Sequence, residues 1–143
     1  MADPLNLDRF VKAQDAVLAQ VRAELRAGSK RTHWMWFVFP QLAGLGHSDT
    51  ARYYALASLE EAKAYLAHPL LGPRLIECTN LVNAVESRSA HRIFGNPDDL
   101  KFHSSMTLFA LAQPGQRAFS DALGKYFDGI PDRLTSERLS GAG

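Results

Sequence analysis

Apolar residues recur at intervals of three and four between residues 7 and 27, and this spacing constrains the fold more than any other feature of the chain. The stripe consists of Leu7, Phe10, Val11, Val17, Leu18, Val21 and Leu25. An α-helix presents such a stripe to a protein core. With Asn6 as the N-cap and Gly28 just past the end, the pattern predicts one helix over 7–27.

Start and stop signals divide the rest of the chain into further helical segments. Ser48-Asp49 is a cap for a short helix, and Ser58-Leu59-Glu60-Glu61 is a capping box. Proline in a first turn predicts helices from Pro73 and from Pro97. Further helices are predicted over 89–94 and 116–126. We therefore predict an all-α, compact multihelical domain of about seven helices over residues 1–143, ordered from about 7 to 130 and frayed over 132–143.

The segment His33 to Pro40 concentrates the bulkiest side chains of the protein. It is too short for periodicity to distinguish a strand from a buried helical turn, and both remain open. Trp34 and Trp36 suit a stacking wall for a flat ligand, but most of the segment is expected in the core. Because each indole N–H needs a partner, at least one tryptophan should border a cleft.

Composition excludes several classes of function. Apolar residues make up 46% and charged residues 22% of the 143, as in globular domains. The formal net charge is +1, so we expect neither a nucleic-acid polymer nor a membrane as partner. A single cysteine, Cys78, and an N-terminus without signal-peptide character favour a cytoplasmic location.

Two polar segments are candidates for a binding site. Gln41 precedes a glycine loop that contains Gly44 and Gly46. If residues 101–105 are helical, Lys101, Ser104 and Ser105 share a face and offer a cation and two hydroxyls to a phosphate or carboxylate. The alternative, a buried polar patch that satisfies neighbouring loops, remains equally open.

Evidence for catalysis or for a metal is weaker. Asp98, Asp99 and His33 are weak acid–base candidates, and the two aspartates also suit the positive end of a helix. The five histidines are 12 to 23 residues apart, which matches no metal-binding motif, so no metal site is predicted. The sequence identifies no cofactor.

Four motifs carry a resemblance to a known family. They are His33-Trp34-Met35-Trp36-Phe37-Val38-Phe39-Pro40-Gln41-Leu42-Ala43-Gly44-Leu45-Gly46, His68-Pro69-Leu70-Leu71-Gly72-Pro73-Arg74-Leu75, Ile93-Phe94-Gly95-Asn96-Pro97-Asp98-Asp99-Leu100-Lys101 and Ser104-Ser105-Met106-Thr107-Leu108-Phe109. The chain resembles, over about 7–139, the small bacterial proteins grouped as domain of unknown function number 1810. The resemblance implies a multihelical single domain and no established activity. The label calpastatin, which such proteins often carry, belongs to a long disordered inhibitor and does not suit this globular composition.

These features lead to two hypotheses of different classes. The first is a small-molecule-binding protein with a cleft between residues 33–46 and 101–105, which takes an anionic, flat-ringed ligand such as a nucleotide or an ADP-ribose-like molecule. If the protein is an enzyme, which the sequence leaves undecided, hydrolysis or glycosidic transfer is the first reaction to test. The alternative is a protein–protein interaction or homo-oligomeric module without catalysis, in which exposed aromatic side chains form the interface.

Overall fold

A computed structural model of the protein describes residues 3–141, and over that range the chain forms ten helices. They are α1 (Asp8–Asp15), α2 (Leu18–Ala27), α3 (Met35–Val38), α4 (Asp49–Tyr53), α5 (Leu59–Ala67), α6 (Leu71–Asn83), α7 (Ala90–Phe94), α8 (Asp98–Ala112), α9 (Arg117–Phe127) and α10 (Arg133–Gly141). Apart from one isolated bridge between Leu42 and Leu56, these residues form no β-structure. The predicted all-α fold is confirmed, with more and shorter helices than the seven expected.

Local capping chemistry begins several of these helices where the sequence predicts. The Ser48 hydroxyl accepts from the amide of Ala51 at 3.1 Å, and that of Ser58 accepts from Glu61 at 3.2 Å. The Glu61 carboxylate reaches back to the amide of Ala57, one residue earlier than an ideal capping box requires. Gly28, with φ 68°, ends α2 as expected.

The single helix predicted over 7–27 is wrong in one respect, because the chain breaks between α1 and α2. Ala16 and Val17 form a turn, in which the Val17 amide donates to the carbonyl of Gln14 at 3.0 Å. The N-cap prediction at Asn6 is also wrong. The carboxylate of Asp3 accepts instead from the amides of Leu7 and Asp8, because Asn6 adopts a left-handed conformation with φ 51°.

The aromatic segment is a helical turn, and most of it lies in the core. Trp34, Met35, Phe37, Val38 and Phe39 are all buried. The ring of Phe39 meets those of Phe94 and Phe102 edge-on, with centroids 6.0 and 5.1 Å apart. Bulky side chains therefore bring α3, α7 and α8 together, and the expectation that this segment is mainly core is confirmed.

A buried carboxylate, Glu24, fixes the start of the aromatic segment. Its Oε1 accepts from Trp34 Nε1 at 3.0 Å and from the amides of Arg31 and Thr32 at 2.7 and 3.0 Å. Its Oε2 accepts from the Thr32 hydroxyl at 2.6 Å and from Gln20 Nε2 at 2.8 Å. These five donors satisfy a side chain that is only 3% exposed, and they tie the connector after α2 to the indole ring.

α8 is the central helix of the fold. Its fully buried Phe102, Met106 and Phe109 face the core, and it packs on α3, α5, α7, α9 and α10. The opposite side of its first half carries polar residues, including Lys101 and Ser104. One helix therefore supplies both the centre of the core and part of a surface cleft.

The C-terminal segment is helical from Arg133 to Gly141, so the frayed tail predicted from residue 132 is wrong over this range; residues 142 and 143 lie outside the described residues. The reason is a cap that follows Pro131. The Asp132 carboxylate accepts from the amide of Thr135 at 3.1 Å and from its hydroxyl at 2.6 Å. Thr135 is fully buried, and Leu139 packs partly against the core.

Candidate functional site

A cleft of about 390 Å³ opens between the glycine loop, the first half of α8 and the start of α10. We call it the α8–α10 cleft. Its lining residues are Gln41, Leu45, Gly46, Pro97, Leu100, Lys101, Ser104, Asp132 and Leu134. Its volume is in the range of small-molecule sites in proteins. The two polar segments identified in the sequence meet here.

The glycine loop is held in place from both sides. Backbone hydrogen bonds join Ala43 to Leu56 at 2.7 Å and Leu56 to Gln41 at 2.9 Å. From α10, Arg138 Nε donates to the carbonyl of Ala43 at 2.9 Å. The absence of a side chain at Gly44 permits this contact, since a Cβ there would lie 2.1 Å from Arg138 Nη2. The φ of Gly44, +94°, is also one that glycine adopts most readily.

Lys101 supplies the positive charge of the cleft. Its ammonium lies 4.9 Å from the ring centroid of Trp36 and 3.7 Å from Asp98 Oδ1. The other oxygen of Asp98 lies 2.7 Å from the ammonium of Lys30, whose side chain is only 6% exposed. Because Lys30 already compensates Asp98, the long contact leaves the Lys101 ammonium available to a ligand.

Ser104 and Asp132 form the opposite, acceptor-rich part of the cleft. The Ser104 hydroxyl lies 3.2 Å from both Asp132 Oδ2 and the carbonyl of Leu100. The Asp132 amide donates to the Thr107 hydroxyl at 2.8 Å, which fixes the aspartate on α8. Among residues 3–141, Asp132 Oδ1 has no hydrogen-bond partner, so it is free to accept from a ligand.

The rim of the cleft is apolar. Leu100 and Leu134 are 57% and 60% exposed, although both are large hydrophobic residues. Leu45 and Pro97 continue this surface. An apolar rim beside a cation and a carboxylate suits a ligand with one charged group, several hydroxyls and a flat or apolar part.

The structure brings together four of the eight predicted ligand-binding residues, namely Gln41, Gly46, Lys101 and Ser104. Gly46 also lets the loop pack closely on α4, since a Cβ at this position would lie 2.6 Å from that of Ala51. Trp36 does not line the cleft, but its partly exposed ring supports the Lys101 ammonium.

The other predicted residues lie elsewhere. Trp34 is fully buried and donates to Glu24, so it cannot stack on a ligand. Ser105 is also fully buried, and its hydroxyl has no partner in the described part of the chain. Gly44 is outside the cleft, against Arg138. The expected shared face of Lys101, Ser104 and Ser105 is therefore divided between the cleft and the core.

The weak acid–base candidates do not assemble into a catalytic group. Each oxygen of Asp98 faces a lysine, and Asp99 lies 3.3 Å from the Nδ1 of His91. His33 is exposed and is not among the cleft residues. The carboxylate that does line the cleft is Asp132, which sequence reasoning missed. Its position before Arg133, directly after a proline, is the N-cap signal that would have found it.

Two further observations concern metals and membranes. Within residues 3–141, no three histidine, cysteine, aspartate or glutamate side chains are grouped so that they could hold a metal ion. None of the helices in this range has the length and apolar character needed to cross a bilayer.

The fold and the cleft together define a small all-helical protein with a mixed polar and apolar surface cleft. The chain belongs to the family described as Protein of unknown function (DUF1810), whose model matches residues 4–139. It is similar to a solved structure, that of the conserved hypothetical protein Rv1873 from Mycobacterium tuberculosis. The two are 59% identical with a TM-score of 0.95, over 96% of this chain and 99% of that one. No curated protein matches the chain.

Proposed function

We propose that the α8–α10 cleft binds a small anionic molecule of the nucleotide class, with one phosphate, sugar hydroxyls and a flat ring. The observation that carries this proposal is that Lys101, Asp132 and two exposed leucines line one cleft of about 390 Å³. A cation, a carboxylate with a free oxygen and an apolar rim are complementary to the three parts of such a ligand.

Each part of the ligand has a matching group. The Lys101 ammonium pairs with the phosphate, as lysine does elsewhere as a point charge. Asp132 Oδ1 accepts from the sugar hydroxyls, in the way that an acidic residue holds ribose in dinucleotide-binding folds. Leu100 and Leu134 cover the faces of the ring, because burial of their apolar surface against a flat ligand is favourable.

The charge of the cleft favours a single phosphate over two. Lys101 is the one cation among the lining residues, and Asp132 is an anion close by. A second phosphate would meet the carboxylates of Asp132 and Asp98 without a cation of its own. Nucleoside monophosphates should therefore bind at least as well as ADP-ribose.

An interface between protein chains is the second candidate function. It is favoured by the exposed Leu100, Ile130 and Leu134, which are 57%, 61% and 60% accessible. Scattered exposed apolar side chains are normal on protein surfaces, but two leucines and an isoleucine near the start of α8 and of α10 are the beginning of a hydrophobic patch. Light scattering after size exclusion, compared between the protein and Leu134→Ser, tests for self-association through this patch.

A thermal-shift series with AMP, ADP-ribose and inorganic phosphate tests the ligand proposal. Binding to the folded state alone raises the apparent Tm, so the Tm should rise with AMP concentration, about logarithmically once that concentration exceeds the Kd. Lys101→Gln should remove most of this shift. Lys12→Gln is the matched control, since Lys12 is 81% exposed and pairs only with Asp8 on α1.

Two results would overturn the proposal. One is the absence of any AMP-dependent shift at millimolar concentration. The other is a shift of equal size in the protein and in Lys101→Gln, because the phosphate would then bind somewhere other than the α8–α10 cleft.

A further inference from the structure

Four arginines on two neighbouring segments have no partner for their charge among residues 3–141. We call Arg26, Arg31, Arg88 and Arg92 the arginine surface; all four are exposed. Within the described residues, their guanidinium groups make no hydrogen bond, ion pair or cation–π contact. Of the 16 basic residues, only Arg52 and Arg117 share this property as far as contacts within the described range are concerned. Unpaired arginines are therefore concentrated in one part of the molecule.

The two segments lie against each other. The amide of Lys30 donates to the carbonyl of Ile93 at 2.8 Å, which joins the connector after α2 to the end of α7. Gly28 faces Val85 and Arg88 so closely that a Cβ would lie 3.3 Å from Arg88 Cδ. The fold therefore brings the segment that carries Arg26 and Arg31 beside the segment that carries Arg88 and Arg92.

The acidic residues nearby are already engaged. Glu24 is buried among five donors, Asp98 is paired with Lys30, and Asp99 lies beside His91. Glu86 is the remaining acid within the two segments. Residues 26–33 and 86–92 contain five basic side chains and this one acid, and the nearby Glu24, Asp98 and Asp99 reduce the formal sum of +4 to +1. These three acids are largely buried, so the charge that reaches solvent at this surface is mainly that of the four exposed arginines.

We propose that the arginine surface binds an acidic, Asp- and Glu-rich segment of a partner protein. Guanidinium groups form bidentate, charge-assisted hydrogen bonds with carboxylates, and exposed unpaired ones keep this capacity. Two features favour a protein over a nucleic acid. The two segments contain no Phe, Tyr or Trp on which bases could stack, and the chain as a whole carries only +1, which is too little to hold a long polyanion.

Fluorescence anisotropy with a fluorescein-labelled oligoglutamate peptide tests this proposal. The protein should bind the peptide at low salt and release it as salt is added. Two double variants, Arg26→Gln with Arg31→Gln and Arg88→Gln with Arg92→Gln, should each weaken binding about tenfold. The matched control is Arg52→Gln with Arg117→Gln, which removes the two unpaired arginines outside the surface and should leave binding unchanged.

The outcomes are distinct. Absence of peptide binding, or equal weakening in the control variant, overturns the proposal. A single-stranded oligodeoxynucleotide that binds more tightly than the peptide, with the same dependence on the four arginines, shows that the partner class is wrong. Because all the substituted side chains are exposed, an unchanged Tm verifies that each variant is folded. Lys101→Gln should not alter peptide binding, so this result is independent of the nucleotide proposal.

Discussion

Substitution of Glu24 by glutamine should destabilise the protein more than its modest change in size suggests. Burial alone raises the pKa of this carboxyl. Hydrogen bonds from the Thr32 hydroxyl, from the amides of Arg31 and Thr32, and from Gln20 outweigh burial and lower the pKa from 4.5 to about 2. A depression of this size corresponds to about 3 kcal/mol of folding free energy at neutral pH. For a domain of this length, the Tm should fall by about 10 °C.

The contribution of Glu24 to folding stability should depend on pH. Because the pKa is lower in the folded state, the contribution of Glu24 is fully present above pH 4.5 and is lost as the pH falls toward 2. The difference in stability between the protein and Glu24→Gln should therefore shrink over that interval. Urea denaturation, followed by tryptophan fluorescence at neutral and acidic pH, measures it, since Trp34 donates directly to Glu24.

A matched variant separates this buried network from ordinary surface charge. Glu137 pairs with Arg133 at 2.8 Å, but both side chains are more than half exposed. Glu137→Gln should cost less than about 1 kcal/mol. A cost of Glu24→Gln no larger than that of Glu137→Gln at neutral pH, or a cost that stays the same between neutral pH and pH 2, would contradict this role of Glu24.

Three further predictions concern the C-terminal helix and the core. Gly44→Ala should cost about 1–2 kcal/mol, because φ is +94° there and the new Cβ would displace Arg138; thermal denaturation measures this loss. Asp132→Ala removes the acceptor of both Thr135 hydrogen bonds, so it should lower the opening free energy of α10 by about 1–2 kcal/mol. Amide hydrogen exchange throughout α10 should therefore become faster, and unchanged exchange would contradict this role. Burial raises the pKa of Cys78 to about 12, so a thiol reagent should modify it only at the rate of unfolding, and rapid modification of the folded protein would show that the thiol is accessible.

Helices with strong local signals were predictable from the sequence. Ser58 and Gly28 act where the pattern places them, because caps and turns depend on a few neighbouring residues. The break at Val17 was not predictable, since no glycine or proline marks it and the apolar stripe continues through it. Tertiary contacts accompany it: the buried Gln14 at the end of α1 donates to the carbonyl of Phe37 at 2.7 Å.

The candidate site was predictable only in part. Helical spacing alone gave Lys101 and Ser104 a common face, and the glycine loop was recognisable from its composition. Asp132 was missed because the segment after Pro131 has little apolar pattern, so its helix depends on a cap and one buried threonine. Trp34 was misplaced because the sequence does not show that a glutamate ten residues earlier satisfies its indole N–H.

Amide correlation spectra recorded during an AMP titration test the central claim most directly, because they report on the whole chain at once. The α8–α10 cleft predicts saturable shifts at Gly46, Lys101, Ser104 and Asp132 that are absent in Lys101→Gln. Shifts confined to the arginine surface, or no saturable shift at any residue, would contradict the assignment of this cleft as the ligand site.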